Sequence, residues 1–191
     1  MKYKILIRKI IAVLISVTLV SGPASADNSD KQLMKFANKL YKEKKYDEAL
    51  EVYKELLKKT PDSPIMNYNT GSIYYKQEEY DTAIKSFTRA LSTEDSSLEK
   101  DALLGIANSY YRLSELKEDE NIKTSIDLCK KSLVYYKRAI EVDERDKSLK
   151  YNHEIADKRV KALVKKSKYI KKSSSKAGKR KTGRQKQEDE R

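Results

Sequence analysis

The chain has 191 residues, 38% hydrophobic and 37% charged, with a formal net charge of +13. A single cysteine excludes an internal disulfide and a cysteine metal cluster. Tyrosine, at 14 against 2 phenylalanines and no tryptophan, suits half-buried positions where the ring packs and the hydroxyl stays wet.

The charge is uneven along the chain. Residues 1–26 hold four basic and no acidic side chains, residues 165–191 hold 12 basic and 3 acidic, and residues 27–164 hold 26 of each sign. The molecule therefore reads as a balanced body with a basic tail. At its start, Lys2, Lys4, Arg8 and Lys9 precede the apolar run 10–20, and Ala24-Ser25-Ala26 forms a small-x-small site. That order predicts a secretory signal peptide over residues 1–26 and an exported body. The run is short for a membrane span, which needs ~20 residues; the alternative is an uncleaved N-terminal anchor.

The body reads as paired helices. Leu33, Phe36, Ala37, Leu40 and Tyr41 make one helical face, and Ala49, Leu50, Tyr53, Leu56 and Leu57 make the next. Residues 41–57, YKEKKYDEALEVYKELL, return 34 residues later as YKQEEYDTAIKSFTRAL. In the second copy Ala83, Ile84, Phe87, Ala90 and Leu91 keep the same spacing. A third unit begins with Leu103, Ile106, Ala107, Tyr110 and Tyr111, meets the polar stretch KEDENIKTS (117–125), and resumes with Ser132, Tyr136 and Ala139 after an insertion of 13 residues. Capping boxes are expected at Ser29 with Gln32, at Ser96 with Glu99 and, more weakly, at Thr124 with Asp127. Ser63 before Pro64 reads as an N-cap with a first-turn proline. Small residues at Ala37, Gly71 and Ala107, and at Ala49, Ala83 and Ser132, allow the helices of a solenoid to cross closely.

These motifs resemble the tetratricopeptide repeat (TPR). The second unit fits best, with Thr70-Gly71, Tyr74, Tyr80, Ala83, Phe87 and Ala90; the first has Phe36-Ala37, Leu40, Tyr46, Ala49, Tyr53 and Pro61, with Leu56 where the family prefers alanine. The resemblance implies an all-α fold, a right-handed α-α superhelix of about three helix pairs plus a C-terminal cap helix. The expected units lie near 30–63, 64–97 and 98–146, within a TPR domain over 27–166. The cap helix is expected over 147–166, carrying Tyr151-Asn152 as an echo of Tyr68-Asn69 and Glu154 at the small position. A basic tail over 167–191 is too polar to offset its ordering entropy and is expected to be disordered.

Catalysis finds little footing. His153 is the only histidine, no His and acid cluster has metal-ligand spacing, and Gly71 and Gly105 are isolated within helices and form no phosphate loop. Cys129 falls on the packed stripe Ile126, Cys129, Leu133, Tyr136, Ile140 and reads as buried filler. A non-enzymatic protein without metal or cofactor is expected.

The resemblance instead implies a concave groove that binds a protein or peptide. Carried over by position, its lining is Asn38, Tyr41 and Lys42 in the first unit, Tyr68, Asn69, Ser72, Tyr75 and Lys76 in the second, and Asn108, Tyr111 and Arg112 in the third, with Asn152 as a candidate on the cap helix. Asparagine offers a donor and an acceptor to a peptide backbone, and tyrosine supplies contact area at low entropic cost; a wet helix face is the plainer alternative. Chaperone-binding members grip a C-terminal carboxylate with basic residues and two asparagines. Asn38 and Asn69 match, but Met34, Asp101 and Gly105 stand at the basic places, so that clamp is not expected. Tyr151-Asn152-His153-Glu154 followed by a basic tail resembles exported bacterial TPR proteins of the aerotolerance type, which implies a scaffold in the periplasm or cell envelope. In the second reading the tail binds an anionic membrane surface or envelope polymer and the repeats act as spacer or oligomerisation unit. Nucleic acid is disfavoured behind an export signal.

Overall fold

The computed structural model describes residues 23–189, with side chains from 29 to 173. Most of the expected signal segment lies outside the described residues. Among them there are seven helices: α1 Pro23–Lys42, α2 Tyr46–Lys59, α3 Pro64–Lys76, α4 Tyr80–Ala90, α5 Ser96–Lys117, α6 Ile122–Val142 and α7 Lys147–Asp189. None of these is long and apolar enough to cross a membrane. The chain divides into two compact units, one through Ser109 and one from Tyr110 onward.

In the first unit α1 packs on α2, α2 on α3 and α3 on α4. The predicted apolar stripes form the core: Leu33, Ala37, Leu40, Ala49, Leu50, Val52, Tyr53, Leu56 and Ile73 are buried together. Within each pair the turn is the same. Lys44 and Glu78, at matching places in the two copies, both take a positive φ, 60° and 64°. Side chains other than glycine pay for that conformation. Between the pairs the turn is closed by Asn67, 2% exposed, whose amide donates to the carbonyls of Pro61 and Ser63 at 2.9 Å each. Pro64 opens α3 as expected.

Three expected caps fall elsewhere. Ser29 lies inside α1, which begins at Pro23. The Asp95 carboxylate accepts from Ser97 and Leu98 N–H at 2.8 and 3.3 Å, so the cap of α5 is Asp95 and not Ser96. Asn121, not Thr124, caps α6 by accepting from Thr124 N–H at 3.0 Å. A residue one step outside the first turn has its side chain free to reach back to the orphan amides, which Ser96 and Thr124 do not.

In the second unit α6 packs on α7. The polar stretch 117–125 does not interrupt the pairing with a long loop. It is absorbed by longer helices, 22 residues in α5 and 21 in α6 against 13 and 11 in α3 and α4. Buried Ser114 and Ser125 allow this, because the Ser125 hydroxyl donates to the Ser114 carbonyl at 2.7 Å and satisfies the polar atoms in the interior. Cys129 is fully buried, its thiol 3.5 Å from the Ala156 carbonyl, and burial pushes its pKa up.

The cap helix differs from expectation in register and in length. Glu154 is exposed and paired with Lys158 at 2.6 Å, and Tyr151 is 63% exposed. The buried small residue is Ala156, two places further on, so Tyr151-Asn152 does not repeat the placement of Tyr68-Asn69. The helix continues past 166 to Asp189, through a segment expected to be disordered. Among the described side chains, which end at 173, the last buried one is Leu163. Near its middle α7 is tied to the end of α5. Arg159 meets Glu118 at 2.8 Å, and Lys166 meets Glu118 at 2.7 Å and Asp119 at 3.3 Å. The Lys166 hydrogen bond is the main reason the Glu118 carboxyl sits below its ordinary range.

Candidate peptide-binding groove

The first unit holds two successive crossings, each centred on an aromatic side chain of the second helix of a pair. At the first, Tyr53 is 1% exposed. Its hydroxyl donates to Asn38 Oδ1 at 2.6 Å and accepts from Asn69 Nδ2 at 2.9 Å. One phenol thus links three helices, α1, α2 and α3. Burial pushes its pKa up to about 12, with the Asn69 hydrogen bond opposing. Both asparagines are expected groove residues; each has one side-chain atom engaged by Tyr53, and Asn38 remains exposed. The sequence shows an asparagine on the groove side of a helix but not that a tyrosine hydroxyl from the next layer reaches it.

At the second crossing the corresponding side chain is Phe87, which has no hydroxyl. Its ring lies between two glycines. A Cβ added at Gly71 would fall 2.8 Å from the ring, and one added at Gly105 would fall 2.7 Å from it. Gly105 on α5 stands to Phe87 as Asn69 stands to Tyr53. With no side chain there the Phe87 ring can press against α5, and beside this contact lies a cavity of about 150 Å³. Six expected groove residues come together around it: Tyr41, Tyr68, Ser72, Tyr75, Lys76 and Asn108. Phe87, Asp101, Leu104 and Gly105 also line it and were not predicted as groove residues. The signal for Asp101 and Leu104 was present, since they lie seven and four residues before Asn108, on the same face of α5.

The cavity walls are aromatic. Tyr68 and Phe87 have ring centroids 5.6 Å apart, and Tyr75 meets the buried Tyr80 edge-on at 5.4 Å. Burial raises the pKa of Tyr41, with the neighbouring tyrosines adding to it. Burial also raises that of Tyr68, and the negative charge of Asp101 adds to it. The Ser72 hydroxyl donates to the Tyr68 carbonyl at 3.0 Å. Lys76 is exposed at the rim and Lys42 is exposed on α1. Tyr111 and Arg112 belong to the second unit. There Arg159 lies over the Tyr111 ring at 5.5 Å, and Arg112 pairs with Glu115. Asn152, also in the second unit, is half-buried on α7.

Residues 34–97 and 74–120 match the tetratricopeptide repeat family model. The Hsp70-Hsp90 organising protein of Plasmodium falciparum (isolate 3D7) is 30% identical over 77 residues. That match takes in 40% of this chain but only 13% of the relative, so the chain spans about an eighth of that protein's length. The second TPR domain of human RPAP3, solved in complex with the HSP70 peptide SGPTIEEVD, superposes with a TM-score of 0.54 at 18% identity, covering 71% of this chain and 98% of that one. A thermophilic TPR protein of Thermus thermophilus superposes with a TM-score of 0.58 at 18% identity, covering 71% of each chain. At that identity the structural likeness establishes the fold, an all-α arrangement of TPR helix pairs.

Proposed function

Since the chain carries tetratricopeptide repeats over residues 34–120, we propose that it is a non-enzymatic scaffold that holds an extended segment of a protein partner in the groove of its first unit. The observation that carries this is the cavity beside Gly105, where six residues placed there by repeat position converge with Phe87 as the floor. Half-buried tyrosines supply rigid contact area, and the Ser72 hydroxyl, which donates to the Tyr68 carbonyl, keeps oxygen lone pairs that can accept a hydrogen bond. The solved HSP70-peptide complex of human RPAP3 and the match to an Hsp70-Hsp90 organising protein support peptide capture. The C-terminal carboxylate clamp is not part of the proposal. Met34, Asp101 and Gly105 supply no cation, and Asn38 and Asn69 are engaged by Tyr53.

We propose further that the scaffold works outside the cytosol, in the periplasm or envelope. The support is the basic, apolar and small-residue order of residues 1–26. A second reading gives the tail the active part, binding anionic lipid or envelope polymer while the repeats act as spacer. What favours it is the run of α7 beyond Leu163, whose sequence is dense in lysine and arginine.

A photo-crosslinking residue placed at Lys76, on the cavity rim, tests the groove against the same residue placed at Lys85, exposed on α4. One partner protein trapped from position 76 and not from 85, with Tyr75→Ala lowering the yield about tenfold, supports groove binding. Equal trapping from both positions overturns it. Removing residues 168–191 leaves the trapping intact if the groove acts alone, and abolishes it if the tail is the active part.

A further inference from the structure

We propose that the exposed face of α6, in the second unit, docks an acidic helix of a protein partner; nothing in this depends on the groove of the first unit. Two stacked rings underlie the face. Tyr110 of α5 and Tyr135 of α6 lie 5.6 Å apart between centroids, 24° from parallel. Lys131 lies over the Tyr110 ring and Arg138 over the Tyr135 ring, each at 5.4 Å. Each cation has a carboxylate within helical reach, Asp127 four residues before Lys131 and Glu141 three after Arg138. Neither takes it. Glu141 pairs with Lys137 at 3.7 Å, and Lys131 and Arg138 stay over the rings. A ring face holds a cation in place without filling its N–H donors. Both head groups are thus positioned in advance, on exposed side chains, for a carboxylate from outside.

The charge pattern around them selects the guest. Along the exposed face, Asp127 and Glu141 lie seven residues either side of Val134, Lys131 and Lys137 lie three, and Lys130 and Arg138 lie four. From either end the order is acid, two bases, an apolar side chain, two bases, acid. Val134 at the centre is 58% exposed. The pattern spans about 21 Å of helix. A second copy of α6 centred on Val134, parallel or antiparallel, would set like charge on like at every place, so self-pairing is opposed. A uniform polyanion would meet Asp127 and Glu141 at the two ends. A helix with bases at its ends, four acids inside and an apolar residue at its centre meets opposite charge throughout and covers Val134. Exposed ion pairs are individually weak, so the face suits a transient contact that salt loosens.

The probe is an alanine-based helical peptide carrying Lys, Glu, Glu, Leu, Glu, Glu and Lys at the spacing of the α6 face. Its control is an isomer with the lysines central and the glutamates terminal. The full chain carries a photo-crosslinking residue at Val134 or, for comparison, at exposed Tyr169. The expected result is trapping of the patterned helix from position 134, with an affinity about tenfold above that of the isomer. Lys131→Glu with Arg138→Glu should abolish that advantage. A peptide with lysines in place of the two glutamates facing those positions should recover it with the reversed chain and not with the natural one. Should the reversed chain prove less stable, Lys131→Gln with Arg138→Gln gives the answer through a loss of about threefold. Equal affinity for the isomer, trapping from position 169 alone, or no effect of the charge reversal overturns the proposal. Heparin or phosphatidylglycerol vesicles that protect position 134 as well as the patterned helix does, charge for charge, would overturn it too and assign the face to a polyanion.

Discussion

The two crossings of the first unit are built from the same repeat and end in opposite results. At the first, the aromatic place holds Tyr53, and its hydroxyl fastens Asn38 and Asn69. At the second, the same place holds Phe87, pressed between Gly71 and Gly105, whose lack of side chains admits the ring, and the cavity lies beside it. One oxygen atom and one side chain separate a locked layer from an open one. A repeat protein can thus keep its packing code while deciding, crossing by crossing, where a guest fits. Variants at these positions show how far the two layers differ.

The largest effect is expected at the ring that both layers require. Phe87→Ala removes the floor of the cavity and the contact of three helices, and should cost about 3–5 kcal/mol in denaturant unfolding. A subtler probe is the pair of glycines. Gly71→Ala and Gly105→Ala each place a methyl against Phe87 at under 3 Å. Overpacking of that kind costs about 1–3 kcal/mol, offset by up to about 1 kcal/mol of helix propensity. The ring cannot yield to one methyl without approaching the other, so the double variant should lose more than the sum of the singles. Additive losses would mean that the ring is free to move, and that the second crossing is not held as tightly as its distances imply.

The first crossing is tested by Tyr53→Phe, which makes it chemically like the second. Two hydrogen bonds disappear, and the asparagines can turn to water, so the loss at neutral pH should be about 1 kcal/mol. The pH dependence is more telling. Because the folded pKa of Tyr53, about 12, lies above the ordinary 10.0, its stabilising contribution is complete below pH 10. It is lost as the pH rises from 10 toward 12, since the unfolded chain ionises first. Tyr53→Phe lacks that ionisation. The advantage of the natural chain should therefore shrink across this window and reverse toward pH 12. Parallel curves would show that the phenol is hydrated rather than locked.

Much of this fold was legible because the packing code repeats. The small residues Ala37, Gly71 and Ala107, and their partners Ala49, Ala83 and Ser132, are all buried as read. Repeat position alone brought Tyr41, Tyr75 and Lys76 together, and they line one cavity. The site was not legible where one helix answers another. Asn38 and Asn69 look outward by repeat position, and only the arrival of Tyr53 from α2 reveals that each also ties the helices together. Asp101 looked like a failed cation place and is a groove wall. The long α5 and α6 were hidden because a polar stretch reads as a loop, and a buried Ser114–Ser125 contact across eleven residues leaves no periodic trace. The cap-helix register went astray for a related reason, since the Tyr-Asn match outweighed the burial of Ala156.

The smallest expected effect is a control on the comparison itself. The turns that precede Tyr46 and Tyr80 are alike in both layers, with Lys44 and Glu78 each held at positive φ. Any difference between the crossings should therefore be absent here. Glycine has no Cβ to strain in that conformation but gives the unfolded chain more freedom, so the two effects oppose. With a strain of about 1–2 kcal/mol relieved and about 0.5–1 kcal/mol of entropy lost, Lys44→Gly and Glu78→Gly should each stabilise by about 0.5–1 kcal/mol. Equal gains would place the divergence of the two layers in the aromatic crossing alone. A gain at one turn only would mean that the turns already differ, and that the open second crossing begins before Phe87 is reached.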